Sequence, residues 1–240
     1  IMVTCHEIRR VLDSKNHISW VAYHVRFSGF AEKFKVVVPY VCNYENYGLS
    51  FGILSTFPHI RRIKSNRNMN GMKELDSLLV TGKLREVVLD RQSVVDIQSI
   101  FSNKVEVLKL ANCKLGSALK IPSFRKVVLQ QSNLEEFEID LSKTVSLSLY
   151  CNALNETWTR GLRRRLVGSP LKKLDISVNL LFKSGTRYVL EALPDSCITT
   201  LNLNCTGVNI ECASYFAALV KCKLERLIIT GNKLKDNFIY

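Results

Sequence analysis

The chain has 240 residues, and its 34 basic and 21 acidic side chains give a formal net charge of +13 at neutral pH. Hydrophobic residues make up 47% of the chain, which excludes a disordered polymer and suffices for a core without a disulfide or metal staple. No apolar run approaches the roughly 18–20 residues that span a bilayer, and the first residues lack the pattern of a secretory signal.

Residues 1–59 fit no repeat pattern, and we expect them to form an N-terminal cap or a separate small β-containing module. Residues 4–14 predict a short helix, because Thr4 and Glu7 have the spacing of a capping box. Two β-rich runs at 17–27 and 33–41 are separated by the short segment SGFAE, which predicts a β-hairpin. The cap is favoured, because the open end of a core built from stacked repeats must be covered.

From residue 84 one pattern recurs. Its first, fourth, sixth and eleventh residues are apolar, its ninth residue is Asn or a substitute, and the other residues are variable. Its centre predicts a short strand with one buried face, and parallel stacking of such strands buries a continuous core. A doubtful copy starts at Ile60, with a possible outer helix at 73–80. The other copies start at Leu84, Val105, Phe124, Thr144, Leu171, Ile198 and Leu224.

The polar position of the pattern falls where the chain turns away from the strand. An Asn side chain there can pair with backbone groups that the turn leaves open. Asn152, Asn179 and Asn232 keep the asparagine. The substitutes are Gln92, Cys113, Ser132 and Thr206.

The distances between repeat starts predict the kind of segment that connects each strand to the next. Steps of 27, 27 and 26 residues from Thr144 to Leu224 leave room for outer helices, expected at 155–168, 185–193 and 211–220. The earlier steps of 21, 19 and 20 residues are too short for a full helix and predict extended or single-turn segments.

These repeats resemble the leucine-rich repeat family, and the last ones resemble its ribonuclease-inhibitor-like cytosolic subclass. The resemblance implies an α/β solenoid at 60–240 with about seven to eight repeats. In such a solenoid a curved parallel sheet lines the concave side, and helices or short turns cover the convex side. The helix and hairpin of residues 1–59 would form its N-terminal cap.

We find no motif for catalysis, such as a glycine-rich phosphate loop, a GxSxG elbow or an HExxH pair. The four histidines have no His or Cys at metal-ligand spacing, and none of the eight cysteines forms a CxxC pair. Reduced, partly buried thiols are expected, which favours the cytoplasm or the nucleus. We therefore expect a protein that is not an enzyme and has no metal, cofactor or small-molecule substrate.

Two segments, 59–67 and 160–173, concentrate the positive charge, and the second contains no acidic residue. Together with the net charge they favour a polyanionic partner, although a solvated face remains the alternative for either segment alone. The candidate polyanion contacts are Arg61, Arg62, Lys64, Arg67, Arg160, Arg163, Arg164, Arg165, Lys172 and Lys173.

The variable strand residues should project from the concave face, which would be polar and mildly basic. It lacks the rows of aromatic side chains that bind single strands by stacking, so phosphate contact is favoured over base readout. The candidate contacts on this face are Lys109, Lys126, Ser148, Tyr150, Asp175, Asn202, Asn204 and Arg226.

Two functions remain open. In the first, the protein is a binding module that docks on an RNA-rich assembly such as a ribosome or another ribonucleoprotein. In the second, which the resemblance implies, it is a protein–protein adaptor or a regulator of scaffold or GTPase-regulator type. Its basic charge argues against a ribonuclease-inhibitor role, because that family presents an acidic surface to a basic enzyme. A membrane surface is the less favoured partner.

Overall fold

The computed structural model describes residues 18–22, 41–46, 60–65, 82, 84–91, 100, 104–115, 119–132, 134 and 137–234. Contacts between residues divide the chain into two compact units, Ile1–Glu106 and Val107–Tyr240. Both are built on parallel strands that succeed one another in chain order, so the protein has an α/β, solenoid-like repeat architecture with an open sheet.

The first unit contains four parallel strands, each paired with the next along the chain. They are β1 (Ile18–Ala22), β2 (Val41–Asn46), β3 (Arg62–Ser65) and β4 (Glu86–Asp90). The doubtful copy at Ile60 does form a strand, since Ile60 and Ile63 are buried on either side of the start of β3.

The predicted β-hairpin of the runs 17–27 and 33–41 lies mostly outside the described residues. β1, which belongs to the first of these runs, pairs in parallel with β2, with Ser19 opposite Asn43 and Ala22 opposite Asn46. Residues 23–40 separate the two strands, long enough for the crossover that parallel pairing requires. β2 begins at Val41, the last residue of the run that predicted it. The expected helices at 4–14 and 73–80 lie outside the described residues.

The second unit contains a six-stranded parallel sheet and a two-stranded one. The six strands, in sheet order, are β5 (Val107–Ala111), β7 (Lys126–Gln130), β9 (Ser146–Ser148), β10 (Lys173–Asp175), β11 (Thr200–Asn202) and β12 (Arg226–Ile228). The smaller sheet pairs β6 (Leu119–Ile121) with β8 (Phe137–Ile139).

Helices come after the strands of the long repeats, as their length predicted. They are α1 (Glu156–Arg160), α2 (Leu162–Leu166), α3 (Phe182–Ala192) and a 3₁₀ helix at Ile210–Lys221. Two of the three short repeats, those that start at Val105 and Phe124, carry the extended segments β6 and β8. In the repeat that starts at Leu84 the described residue Ile100 is helical, so repeat length alone does not decide the outer segment.

One face of the six-stranded sheet is the core. Inward and outward side chains alternate along the first five strands, as a period of two requires. In β12, by contrast, Leu227 and Ile228 are both half-buried. In the first five strands and the residue just past each of them, no inward residue is more than 1% exposed: Leu108, Leu110, Val127, Leu129, Leu147, Leu149, Leu174, Ile176, Leu201 and Leu203.

The strands of the repeats from Leu84 onwards are all followed by the same unusual turn. In all seven repeats from Leu84 onwards, the eighth residue has a φ between 49° and 67°, in the left-handed region. For a residue other than glycine this costs roughly 1–2 kcal/mol. Glycine is needed at Gly231, because a Cβ there would collide with Cys205 Sγ. The eighth residues are Arg91, Asn112, Gln131, Cys151, Val178, Cys205 and Gly231.

The ninth residue of the pattern, its polar position, offsets the cost of this turn by hydrogen bonds to the backbone. Asn179 is fully buried, and its Oδ1 accepts hydrogen bonds from the backbone N–H groups of Asn152 (2.9 Å) and Leu154 (3.0 Å). Its Nδ2 donates to the carbonyls of Leu149 (2.9 Å) and Ile176 (2.8 Å). The predicted pairing of the Asn amide with the turn backbone is confirmed.

The same arrangement repeats along the unit. Asn152 Oδ1 accepts from Ser132 N–H at 2.8 Å, and Asn232 Oδ1 accepts from Thr206 N–H at 3.0 Å. Where a hydroxyl substitutes, it reaches less far: Ser132 Oγ accepts a longer bond, 3.4 Å, from Cys113 N–H. We call this set the polar ladder: Ser132, Asn152, Asn179, Thr206 and Asn232.

The alternation of β11 gives a paired test of the register. Leu203 is 0% exposed, whereas Asn202 is on the open face. Leu203→Ala should destabilise the protein by about 2–5 kcal/mol through lost burial and a cavity. Asn202→Ala should cost about 1 kcal/mol, since it removes two hydrogen bonds that water can replace. Equal losses in chemical denaturation would mean that the register is shifted by one residue.

Candidate binding surface

Three of the four predicted contact residues on α1 and α2 are engaged inside the protein. Arg160 donates to Glu156 Oε1 at 2.8 Å and stacks over the ring of Tyr188 at 5.6 Å. The hydrogen bond to Glu156 raises the pKa of Arg160 above its usual value. Arg163 Nε donates to Asp195 Oδ2 at 2.8 Å. These contacts tie α1 and α2 to α3 and to the turn after it.

Arg165 is a packing residue. Its guanidinium lies over the Trp158 ring, 5.5 Å from the centroid, and Nη1 donates to the Trp158 carbonyl at 3.1 Å. Trp158 in turn stacks on Phe137. Burial lowers the pKa of Arg165 from its usual value. Arg164 is exposed, and in the part of the chain that the structure describes its side chain has no ion pair or hydrogen bond.

The candidate contacts at 59–67 belong to the first unit. Arg61 is exposed, Lys64 is half-buried and Arg67 lies outside the described residues. Arg62 is half-buried and forms an ion pair with Glu86 on β4 at 3.3 Å. Among the described residues of this segment, Arg61 is the most accessible cation.

The predicted concave-face residues do share the open face of the six-stranded sheet or the turns beyond it. Register places Lys126, Ser146, Lys173, Thr200 and Arg226 side by side in one row. The next row contains Ser148, Asp175 and Asn202. Lys109 lies on β5, and Tyr150 and Asn204 come after β9 and β11, all three half-buried.

The carboxyl ends of the strands form a polar network around one carboxylate, Asp175. Asp175 Oδ1 accepts from Ser177 N–H at 3.0 Å, and Oδ2 accepts from the Ser148 hydroxyl at 3.2 Å. Asn202 Oδ1 accepts from Asn204 N–H at 3.0 Å. The Thr230 hydroxyl donates to Asn204 Oδ1 at 2.8 Å. The carboxylate of Asp175 is thus satisfied within the protein.

The amino ends of the strands, in contrast, are basic. Parallel strands begin at one edge of their sheet, so residues that precede or start different strands meet there. We define the basic edge as the cations at these positions in β7, β9, β10 and β12: Arg125, Lys126, Lys143, Lys172, Lys173, Lys223 and Arg226.

Every residue of the basic edge is exposed. Among the residues that the structure describes, none of their side chains has an ion pair or hydrogen-bond partner. At the repeat positions that these cations occupy, Glu225 is the single acidic residue in the last five repeats. Sequence reasoning missed Arg125, Lys143 and Lys223, because they lie far from one another along the chain and outside the two densest basic segments. Comparing residues by repeat position rather than by sequence neighbourhood would have found them.

Other kinds of site have little support in the described ranges. No group of His, Cys, Asp and Glu side chains there could hold a metal ion, and all four histidines lie outside these ranges. The six cysteines described are free thiols, with Cys113 and Cys212 buried and Cys197 and Cys205 exposed. None of the helices found in the described segments is both long and apolar enough to cross a membrane.

Comparisons with known proteins identify a fold and no family. No family model matches the chain, and no curated protein does. A crystal structure of a protein from Bacteroides fragilis, a target of the Northeast Structural Genomics Consortium, is similar in fold, with a TM-score of 0.54 and 14% identity. The similarity covers 95% of this chain and 72% of that one.

The contacts of the arginines predict different roles for neighbours in sequence. Arg165→Ala should destabilise the protein by about 1–2 kcal/mol, because it removes a cation–π contact and the cover of Trp158. The matched variant Arg164→Ala should stay within about 0.5 kcal/mol of the parent. Chemical denaturation measures both. Indistinguishable free energies of unfolding would show that Arg165 is solvated as well.

Proposed function

We propose that the protein is a non-catalytic binding module of the leucine-rich repeat type that docks on an RNA-rich assembly, such as a ribosome or another ribonucleoprotein. The observation that carries the proposal is the basic edge, which gathers seven exposed cations that have no internal partners among the described residues. The free thiols of the described cysteines support a cytoplasmic location, with the nucleus as the alternative.

Ion pairing distinguishes this edge from other basic surfaces of the unit. Arg160, Arg163, Lys183 and Arg187 each have a carboxylate within 4 Å. Surface ion pairs of this kind contribute little to stability, but they do occupy the cation. The basic edge instead holds like charges close together with one acidic neighbour. A polyanion would relieve that repulsion and release its own counterions.

The repeat type has its own support. Seven repeats share the apolar strand positions and the left-handed eighth residue, and the polar ladder bonds to the turns of the later ones. Several copies must stack on one another, because no single repeat can bury its apolar face alone. The outer helices of the last repeats agree with the proposed cytosolic subclass.

A protein adaptor is the second candidate, and a separate surface favours it. The network around Asp175 and Asn202 is pre-ordered by its own hydrogen bonds, so a partner's polar groups would meet side chains in fixed positions. Beyond the strand ends, Leu180 and Phe182 are 64% and 61% exposed. Exposed apolar side chains beside a polar network are typical of protein interfaces.

A native pull-down with and without ribonuclease tests the proposed function. We expect ribosomal or other ribonucleoprotein components to be retained without the enzyme and to be released when it is added. Binding to purified total RNA should weaken steeply with salt, because each neutralised phosphate contributes roughly 0.7–0.9 to the log–log slope. Partners that survive ribonuclease, with no RNA bound, would contradict RNA docking and favour the adaptor.

A further inference from the structure

We infer that the basic edge binds the sugar–phosphate backbone of double-helical RNA without reading its sequence. This inference rests on the proposed RNA-docking function and adds the site and the form of the nucleic acid. Four observations carry it: the spacing of the cations, the hydroxyls between them, the fixed backbone of the edge and the absence of aromatic side chains from its positions.

The cations are regularly spaced. Lys126, Lys173 and Arg226 occupy the same register position on β7, β10 and β12, which are every second strand of the sheet. Neighbouring strands lie about 4.8 Å apart, so the cations repeat every ~10 Å along a row of ~19 Å. A linear polyanion with regular charges matches such a row, since several contacts form without distortion of either partner.

Hydroxyl groups alternate with these cations. Ser146 on β9 lies between Lys126 and Lys173, and Thr200 on β11 lies between Lys173 and Arg226. Both side chains are half-buried on the open face. A hydroxyl can donate to a phosphate oxygen and can also accept from a ribose 2′-OH, the group that distinguishes RNA from DNA.

The edge is held in place by the neighbouring repeats. The N–H groups of Lys172 and Lys173 donate to the Val145 carbonyl at 3.0 and 3.1 Å. Lys143 N–H donates to Ser123 Oγ at 2.6 Å, and Arg226 N–H donates to the Thr199 carbonyl at 3.0 Å. Only the flexible side chains must order on binding, which reduces the entropic cost of association.

The form of the nucleic acid is indicated by the residue types missing from the edge. No residue immediately before or at the start of β7, β9, β10, β11 or β12 is aromatic. Single strands are bound largely by stacking of bases on aromatic side chains. A duplex hides its bases and presents phosphates and 2′-hydroxyls, the groups that lysine, arginine and hydroxyl side chains bind. These residue types therefore fit a duplex better than a single strand.

The test compares two triple variants that remove the same charge. The edge variant is Lys126→Gln, Lys173→Gln and Arg226→Gln. The control is Lys114→Gln, Lys233→Gln and Lys183→Gln, three exposed cations that lie beyond the strand ends or on α3. The probes are a mixed-sequence RNA duplex, its separated strands and vesicles that contain anionic lipid, each titrated over a range of salt concentrations.

We expect the parent to bind the duplex more tightly than either strand and more tightly than the vesicles. The edge variant should bind the duplex at least about tenfold more weakly at ~0.1 M salt, with a log–log slope shallower by about two to three units. The control should keep a slope within about one unit of the parent. Changing the duplex sequence should alter neither result.

Different failures have different meanings. Duplex binding by the parent with equal losses in the two variants would overturn the edge as the site, yet leave RNA docking standing. Tighter binding to single strands or to vesicles would overturn the duplex assignment. No binding to any RNA would overturn the proposed function itself. Melting temperatures establish that the variants fold; if the edge variant melts early, the single change Lys173→Gln makes the same comparison with a slope change of about one unit.

Discussion

The buried hydrogen bonds of the polar ladder are the interactions on which the rest of the structure depends. Every repeat strand of the second unit ends at a residue in the left-handed region, and the turn after it leaves backbone N–H and C=O groups in the core. Unpaired, each buried group would cost about 1–3 kcal/mol. A side-chain amide with both donors and an acceptor satisfies several of them, as Asn179 does for its own turn and for the preceding one. The ladder therefore joins neighbouring repeats at a fixed register, except between Asn179 and Thr206, whose hydroxyl donates within its own repeat to the Leu203 carbonyl.

A fixed register has consequences at both ends of the strands. At the carboxyl ends it aligns Asp175, Asn202 and their neighbours into a hydrogen-bonded polar network. At the amino ends it brings together cations that are as far apart in the chain as Arg125 and Arg226. No local segment of sequence specifies the basic edge. It arises because parallel strands of equal register superpose the same repeat positions, so the character of this surface is inherited from the fold.

Much of the second unit could be predicted from sequence, because its physics is periodic. The alternation around Leu174 or Leu201 predicts a half-buried strand, and Asn179 predicts a satisfied turn. Strand direction in the first unit could not be predicted in the same way. Residues 17–27 and 33–41 have β-forming side chains, but that propensity is local, whereas the parallel direction of β1 and β2 depends on pairing between distant segments. The roles of the arginines on α1 and α2 also could not be predicted from local sequence. Arg163 contacts Asp195 and Arg165 contacts Trp158, and these partners are evident only in the folded chain.

The most direct test of the ladder's role is native-state hydrogen exchange of the Asn152 and Leu154 amides in the parent and in Asn179→Ala. Both amides donate to Asn179 Oδ1, so they should exchange slowly in the parent. The substitution should destabilise the protein by about 2–4 kcal/mol and should reduce protection at these two amides more than in the strands. Fast exchange of both amides in the parent, or a loss of less than about 0.5 kcal/mol in the variant, would contradict the ladder as the interaction that sets the register.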